Sequence, residues 1–194
     1  MEIAPRPNIF YAYVKDHTHK TKTPMTNPPM TTLPVRYLPP QLSRSDAKKQ
    51  FRMLTKSKKL YKKGKYFTRD KVGTYKHKPS KHVVLARKMY HIDNIHPSPN
   101  LAKASGCSLS ALRQIVSKGE GAYFSSGSRP NQTAQSWGLA RLASALTGGK
   151  AAAVDYHILA KGCDAKGKAF RLAQTSVKKY NHGQSKTRKV RVVS

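Results

Sequence analysis

Any fold this chain adopts must accommodate thirty uncompensated positive charges, because 38 Lys and Arg stand against 8 Asp and Glu in 194 residues. Like charges at that density repel one another in a compact state, so a chain that keeps them normally lies against a polyanion. The surplus is unevenly placed. Residues 44–91 hold 17 basic side chains against Asp46 and Asp70 alone, and residues 161–194 hold ten against Asp164. The stretches 1–43 and 92–160 carry a surplus of only three each. The charge names a class of neighbour: nucleic acid, an anionic lipid surface or an acidic protein. It also places the core in the low-charge stretch 92–160.

Eight of the twelve prolines lie in the first 40 positions. They lack amide donors and push their predecessors out of the helical region, so residues 1–43 read as an extended arm. Within it Ile9, Phe10, Tyr11 and Tyr13, and further on Leu33, Tyr37 and Leu38, are the side chains suited to anchoring on a partner. A disordered tail has the same composition. The first residues combine Glu2, Pro5 and Pro7 without a cationic start and an apolar run, which predicts no signal peptide. No stretch approaches the ~20 apolar residues of a membrane span.

From residue 44 the pattern is helical. Ala47, Phe51, Leu54 and Tyr61 share one face of a helix over 44–64, with Ser45 as its expected cap and Gly64 as its end. The other faces carry Lys48, Lys49, Arg52, Lys56, Lys58, Lys59, Lys62 and Lys63, continued by Lys65 and Arg69. Residues 65–78 read as a loop or short hairpin. Ser80 opens a helix to about Tyr90. Ser98 with Pro99 starts a short helix ending at Gly106, and Ser108 starts another ending at Gly119. A loop over 119–132, a helix from Thr133 to Gly148-Gly149 and a last helix over about 150–161 follow. The expected fold is mainly α: an arm over 1–43, a basic helical domain over 44–165 with its core at about 92–160, and a basic tail over 166–194.

The basic block 44–91 is the strongest functional signal. Lysine dominates it, and lysine is a hydrated point charge suited to phosphates rather than base edges. Tyr61, Tyr66, Phe67 and Tyr75 lie among these lysines, where they could stack on bases or pack on the core. The expected polyanion-binding residues are Lys48, Lys49, Arg52, Lys56, Lys58, Lys59, Lys62, Lys63, Lys65 and Arg69. Two further motifs carry weaker signals. Residues 100–118 have the parts of a helix-turn-helix, which would turn Ser108, Ser110, Arg113, Gln114 and Ser117 towards a groove; plain helix packing uses the same parts. Ser125, Ser126, Gly127, Ser128 and Arg129 form a candidate anion loop, or a structural turn.

Nothing points to catalysis. The eight carboxylates are scattered, no two closer than nine positions, so no paired acid or two-metal site is suggested. No catalytic residue, metal, cofactor or small-molecule substrate is expected. Cys107 and Cys163 lack metal spacing and suit a reducing site of synthesis better than a disulfide framework, although a bridge between them stays open.

One resemblance adds context. The run Gly121-Ala122-Tyr123-Phe124-Ser125-Ser126-Gly127-Ser128-Arg129-Pro130-Asn131-Gln132-Thr133, continuing through Ser136-Trp137-Gly138 and Ala140-Arg141-Leu142-Ala143-Ser144, resembles a family of unassigned function. That family is found in large double-stranded DNA viruses, notably those of algae. Tyr61-Lys62-Lys63-Gly64-Lys65-Tyr66, Ser80-Lys81-His82-Val83-Val84 and Gly148-Gly149-Lys150 resemble it too, so the likeness covers about residues 50–165. The family brings no catalytic residues. The resemblance implies a viral protein made in the host cytoplasm and carried in the virion. There a Pro-rich arm and a basic surface suit a minor capsid protein, which would bind other capsid proteins and meet DNA or the anionic inner membrane. A sequence-nonspecific genome organiser is the alternative.

Overall fold

The computed structural model describes residues 30–76, 79–184 and 187–193. The described chain is mostly helical. Two long helices form its centre: α4 (Leu109–Ser125) and α5 (Ala134–Leu146). Around them lie α1 (Arg44–Tyr61), α2 (Lys81–Tyr90), α3 (Pro99–Ser105), α6 (Lys150–Val154), α7 (Tyr156–Gly162) and α8 (Lys168–Lys179). Two strands, β1 (Met30–Pro34) and β2 (Lys189–Val193), pair antiparallel, with Pro34 opposite Lys189, and so join the two ends of the described chain.

Local chemistry sets most of the helix starts. The hydroxyls of Ser98, Ser108 and Thr133 each accept from a backbone N–H in the first turn of their helix, and Pro99 supplies a fixed φ at the start of α3. Thr133 and Ser136 form a reciprocal capping box. The α1 cap differs from expectation: Ser43, not Ser45, accepts from the Asp46 N–H at 3.2 Å. Leu42, buried in the core, brings the chain in early enough for Ser43 to hold that place.

The main core joins Leu101, Leu112, Ile115, Leu142, Leu146, Ile158 and Leu159 with a set of alanines on α2, α5, α6 and α8. Burying each such leucine or isoleucine contributes about 1.5–3 kcal/mol. A smaller cluster of Leu42, Met53 and Val72, with Leu38, Phe67 and Tyr75 packed on it, ties α1 to the loop that follows. Much of 30–43 therefore belongs to the folded body, not to a free arm.

Three further expectations are corrected. The helix expected to stop at Gly119 runs on to Ser125, because Gly119 marks a close crossing: a Cβ there would lie 2.6 Å from the Gly138 Cα. The helix expected over 150–161 is two, broken at Asp155, whose carboxylate is buried. The expected tail contains α8, which buries Ala169, Ala173 and Ser176 against α5, α6 and α7.

Cys107 and Cys163 form a disulfide, which decides the question of their pairing. The backbone brings them together: Ser108 N–H donates to Gly162 O and Asp164 N–H to Gly106 O, both at 2.7 Å. The pair thus occupies the close, non-hydrogen-bonded position of a short antiparallel bridge.

Candidate polyanion-binding surface

α1 separates its faces cleanly. Gln50, Met53, Leu54 and Ser57, at helical spacing, face inward. Lys48, Lys49, Arg52, Lys56, Lys58 and Lys59 are exposed, as are Lys62, Lys63 and Lys65 beyond the helix end. Four of these cations, Lys48, Lys49, Arg52 and Lys56, line one side of a groove of about 440 Å³. Phe67 and Met53 line it too, and Asp70 is its only carboxylate. Two lysines are held in place. Lys49 Nζ donates to Lys71 O at 3.0 Å, and Lys56 Nζ sits 4.4 Å above the Phe67 ring.

The acid nearest this face in sequence, Asp46, is engaged elsewhere. The Thr74 hydroxyl donates to its Oδ2 at 2.6 Å and the Thr74 N–H at 2.8 Å. These bonds hold its carboxyl below the usual carboxylate range, with the hydroxyl as the larger cause. A charged Asp46 in the first turn also suits the helix dipole.

Arg69 does not belong to this surface. It is 8% exposed, and its guanidinium donates to Ser57 Oγ at 3.2 Å, Tyr123 O at 2.9 Å and Ser128 Oγ at 2.7 Å. It lies 3.6 Å over the Tyr123 ring, whose hydroxyl accepts from the Arg69 N–H. Burial lowers its pKa. Arg69 clamps α1 to the end of α4.

The candidate anion loop is likewise spent on structure. Ser125 ends α4, Ser126 caps it, and Ser128 is fully buried on Arg69. Gly127 holds φ +97°, and a Cβ there would meet Leu54 at 2.8 Å. The loop follows a helix C-terminus, the end whose dipole disfavours anions. Ser126 and Arg129 are exposed, and Arg129 lines a second cleft of about 720 Å³ with Arg36, Lys76 and Arg188.

Among the expected arm residues, Ile9, Phe10, Tyr11 and Tyr13 lie outside the described residues. Leu33 is half-buried in β1 and Leu38 packs on the smaller core. Tyr37 is buried on its own chain, edge-on to Trp137 with ring centres 6.1 Å apart, so it is not a free anchor. In the helix-turn-helix segment Ser110, Arg113, Gln114 and Ser117 form an exposed face of α4, while Ser108 caps the helix. The opposite face of α4 lies in the core, packed between α1, α5 and α7.

A second buried charge escaped the spacing of acids. Asp155, fully buried, accepts from Arg141 Nε at 2.6 Å and Nη2 at 2.8 Å, with Lys118 Nζ at 3.3 Å. Arg141 reaches it from α5, fourteen residues away, a separation no local pattern reveals.

A family model matches residues 34–165, from the end of β1 to just beyond α7. The chain belongs to DUF5824, a family of unknown function. The DUF5824 region contains the whole α1 surface and the Arg69 clamp, and leaves α8 and β2 outside it. No curated protein and no solved structure matches the chain.

Proposed function

We propose that this is a structural virion protein: a minor capsid component on the inner face of a large icosahedral DNA virus shell. In this reading α1 holds a polyanion, and the Pro-rich segment ahead of β1 attaches to capsid partners. One observation carries the binding role: ten cations from Arg44 to Lys65, on and just after α1, are exposed, and four of them line a single groove. Lys48, Arg52, Lys56 and Lys59 follow one another by three or four residues along one stripe. Each step advances about 5.4 Å, roughly one helical turn, so the four cations form a row suited to phosphates rather than to base edges. The virion setting is supported by the likeness of residues 121–144 to the viral family.

A non-catalytic role fits the acids. Asp155 is enclosed by Arg141 and Lys118, and Asp46 is bound to Thr74, so both carboxylates are taken up by contacts within the fold. The row of exposed cations on α1 favours a second reading, a sequence-nonspecific protein that organises the viral genome.

Formaldehyde cross-linking of intact particles tests the proposal. The expected result is adducts between Lys15, Lys20 or Lys22 and a shell protein, and between the lysines of 48–65 and DNA or lipid. A protein found in infected cells but absent from purified particles contradicts the capsid reading and leaves the genome organiser.

A further inference from the structure

Four aromatic side chains are interleaved with the lysines of 61–75, and three of them serve the fold. Tyr61 is half-buried, Phe67 lines the α1 groove beneath Lys56, and Tyr75 packs on the smaller core. Tyr66 differs. It is 72% exposed, the most open large apolar side chain among the described residues.

Its ring is nevertheless held. Phe124 meets it edge-on at 5.0 Å and Tyr61 at 6.0 Å between ring centres. Phe124 in turn stacks parallel to Tyr61 and stands against the fully buried Tyr123. The backbone beneath is a fixed turn: Lys63, Gly64 and Lys65 donate to Leu60 or Tyr61 carbonyls at 2.9–3.0 Å, with Gly64 at φ +71°. This reversal sets Lys62, Lys63, Lys65 and Tyr66 together at the end of α1. A ring already ordered loses little freedom when a ligand stacks on it.

Resting on the polyanion-binding reading above, we propose that this turn is a stacking site for single-stranded nucleic acid. Tyr66 takes the face of an unpaired base while Lys62, Lys63 and Lys65 hold the flanking phosphates. A rigid exposed aromatic within a cationic track is what sequence-tolerant single-strand binding requires. Intact duplex hides its base faces, and a lipid headgroup has none. A membrane surface would instead need contiguous apolar area to insert. The other exposed large apolar residues among the described ones, Val84, Leu85 and Val154, lie on α2 and α6, not on this turn.

The test uses the full chain and three ligands at about 100 mM salt: an oligothymidylate of about 15 nucleotides, a duplex of equal length, and phosphatidylcholine vesicles with about 30% phosphatidylserine. Tyr66→Ala is expected to weaken oligothymidylate binding about fivefold or more, with duplex and vesicle binding changed less than about twofold. Tyr66→Phe keeps the ring and is expected to bind oligothymidylate like the parent. Equal loss on all ligands, or loss confined to vesicles, overturns the inference and leaves the α1 surface standing. If the parent protein binds none of the three, the polyanion reading fails first and this one with it.

Discussion

Arg69 shows how a basic residue in a basic segment can be structural. The three hydrogen bonds of its guanidinium reach Ser57, Tyr123 and Ser128, up to 59 residues away, so its neighbours in sequence say nothing of its role. Among the described residues every buried side-chain nitrogen and oxygen has a partner, and Arg69 accounts for several of those pairings. Arg69→Met leaves Tyr123 O and Ser128 Oγ short of a donor. The expected cost is about 3 kcal/mol, or roughly 6–12 °C in Tm by thermal denaturation. DNA affinity should stay within about twofold at matched salt. A large loss of affinity with Tm unchanged would return Arg69 to the surface. Lys48, Arg52, Lys56 and Lys59 differ from Arg69 in a way the sequence does expose: they fall off the apolar face that Leu54 and Tyr61 mark. Their exposure follows from helical periodicity alone.

At the scale of elements, most start signals and the stop at Gly106 were legible, and the apparent stop at Gly119 was not one. Caps at Ser98, Ser108 and Thr133 act within four residues, so they read directly from the chain. Gly119 looked like a stop because a glycine in a helix usually costs stability, but its lack of a side chain serves the crossing with Gly138 on α5. α8 was hidden because its buried side chains are small and sit among Lys and Arg. The Cys107–Cys163 pair needed the α3–α4 turn and the end of α7 to meet, which no spacing foretells. The crossing gives a prediction of sign. Gly→Ala inside a helix normally stabilises by about 1 kcal/mol. Gly138→Ala should instead destabilise by about 1–3 kcal/mol in chemical denaturation, because the new Cβ would sit 2.8 Å from the Val116 backbone oxygen. Gly73→Ala, which meets nothing within 4 Å, is the control and should stay within about 0.5 kcal/mol. A stabilised Gly138→Ala would mean the helices do not approach this closely.

Over the whole molecule, the charge has a definite arrangement. α4 and α5 form the low-charge centre, and α1 with the turn beyond it carries the densest cationic face. The second cleft, with Arg36, Lys76, Arg129 and Arg188, joins chain segments from both ends of the fold. On the proposed reading such a body would bind through released counterions more than through shape, so its affinity should fall steeply with salt. The direct test is the slope of log affinity for duplex DNA against log salt concentration. It should be measured for the full chain and for a variant with Lys48, Arg52, Lys56 and Lys59 all changed to Gln. With about six phosphate contacts the parent should give a slope near −5, and the variant, lacking four of them, a slope near −2. A parent slope shallower than about −1, or equal slopes for the two proteins, would contradict the account that α1 is the polyanion-binding face.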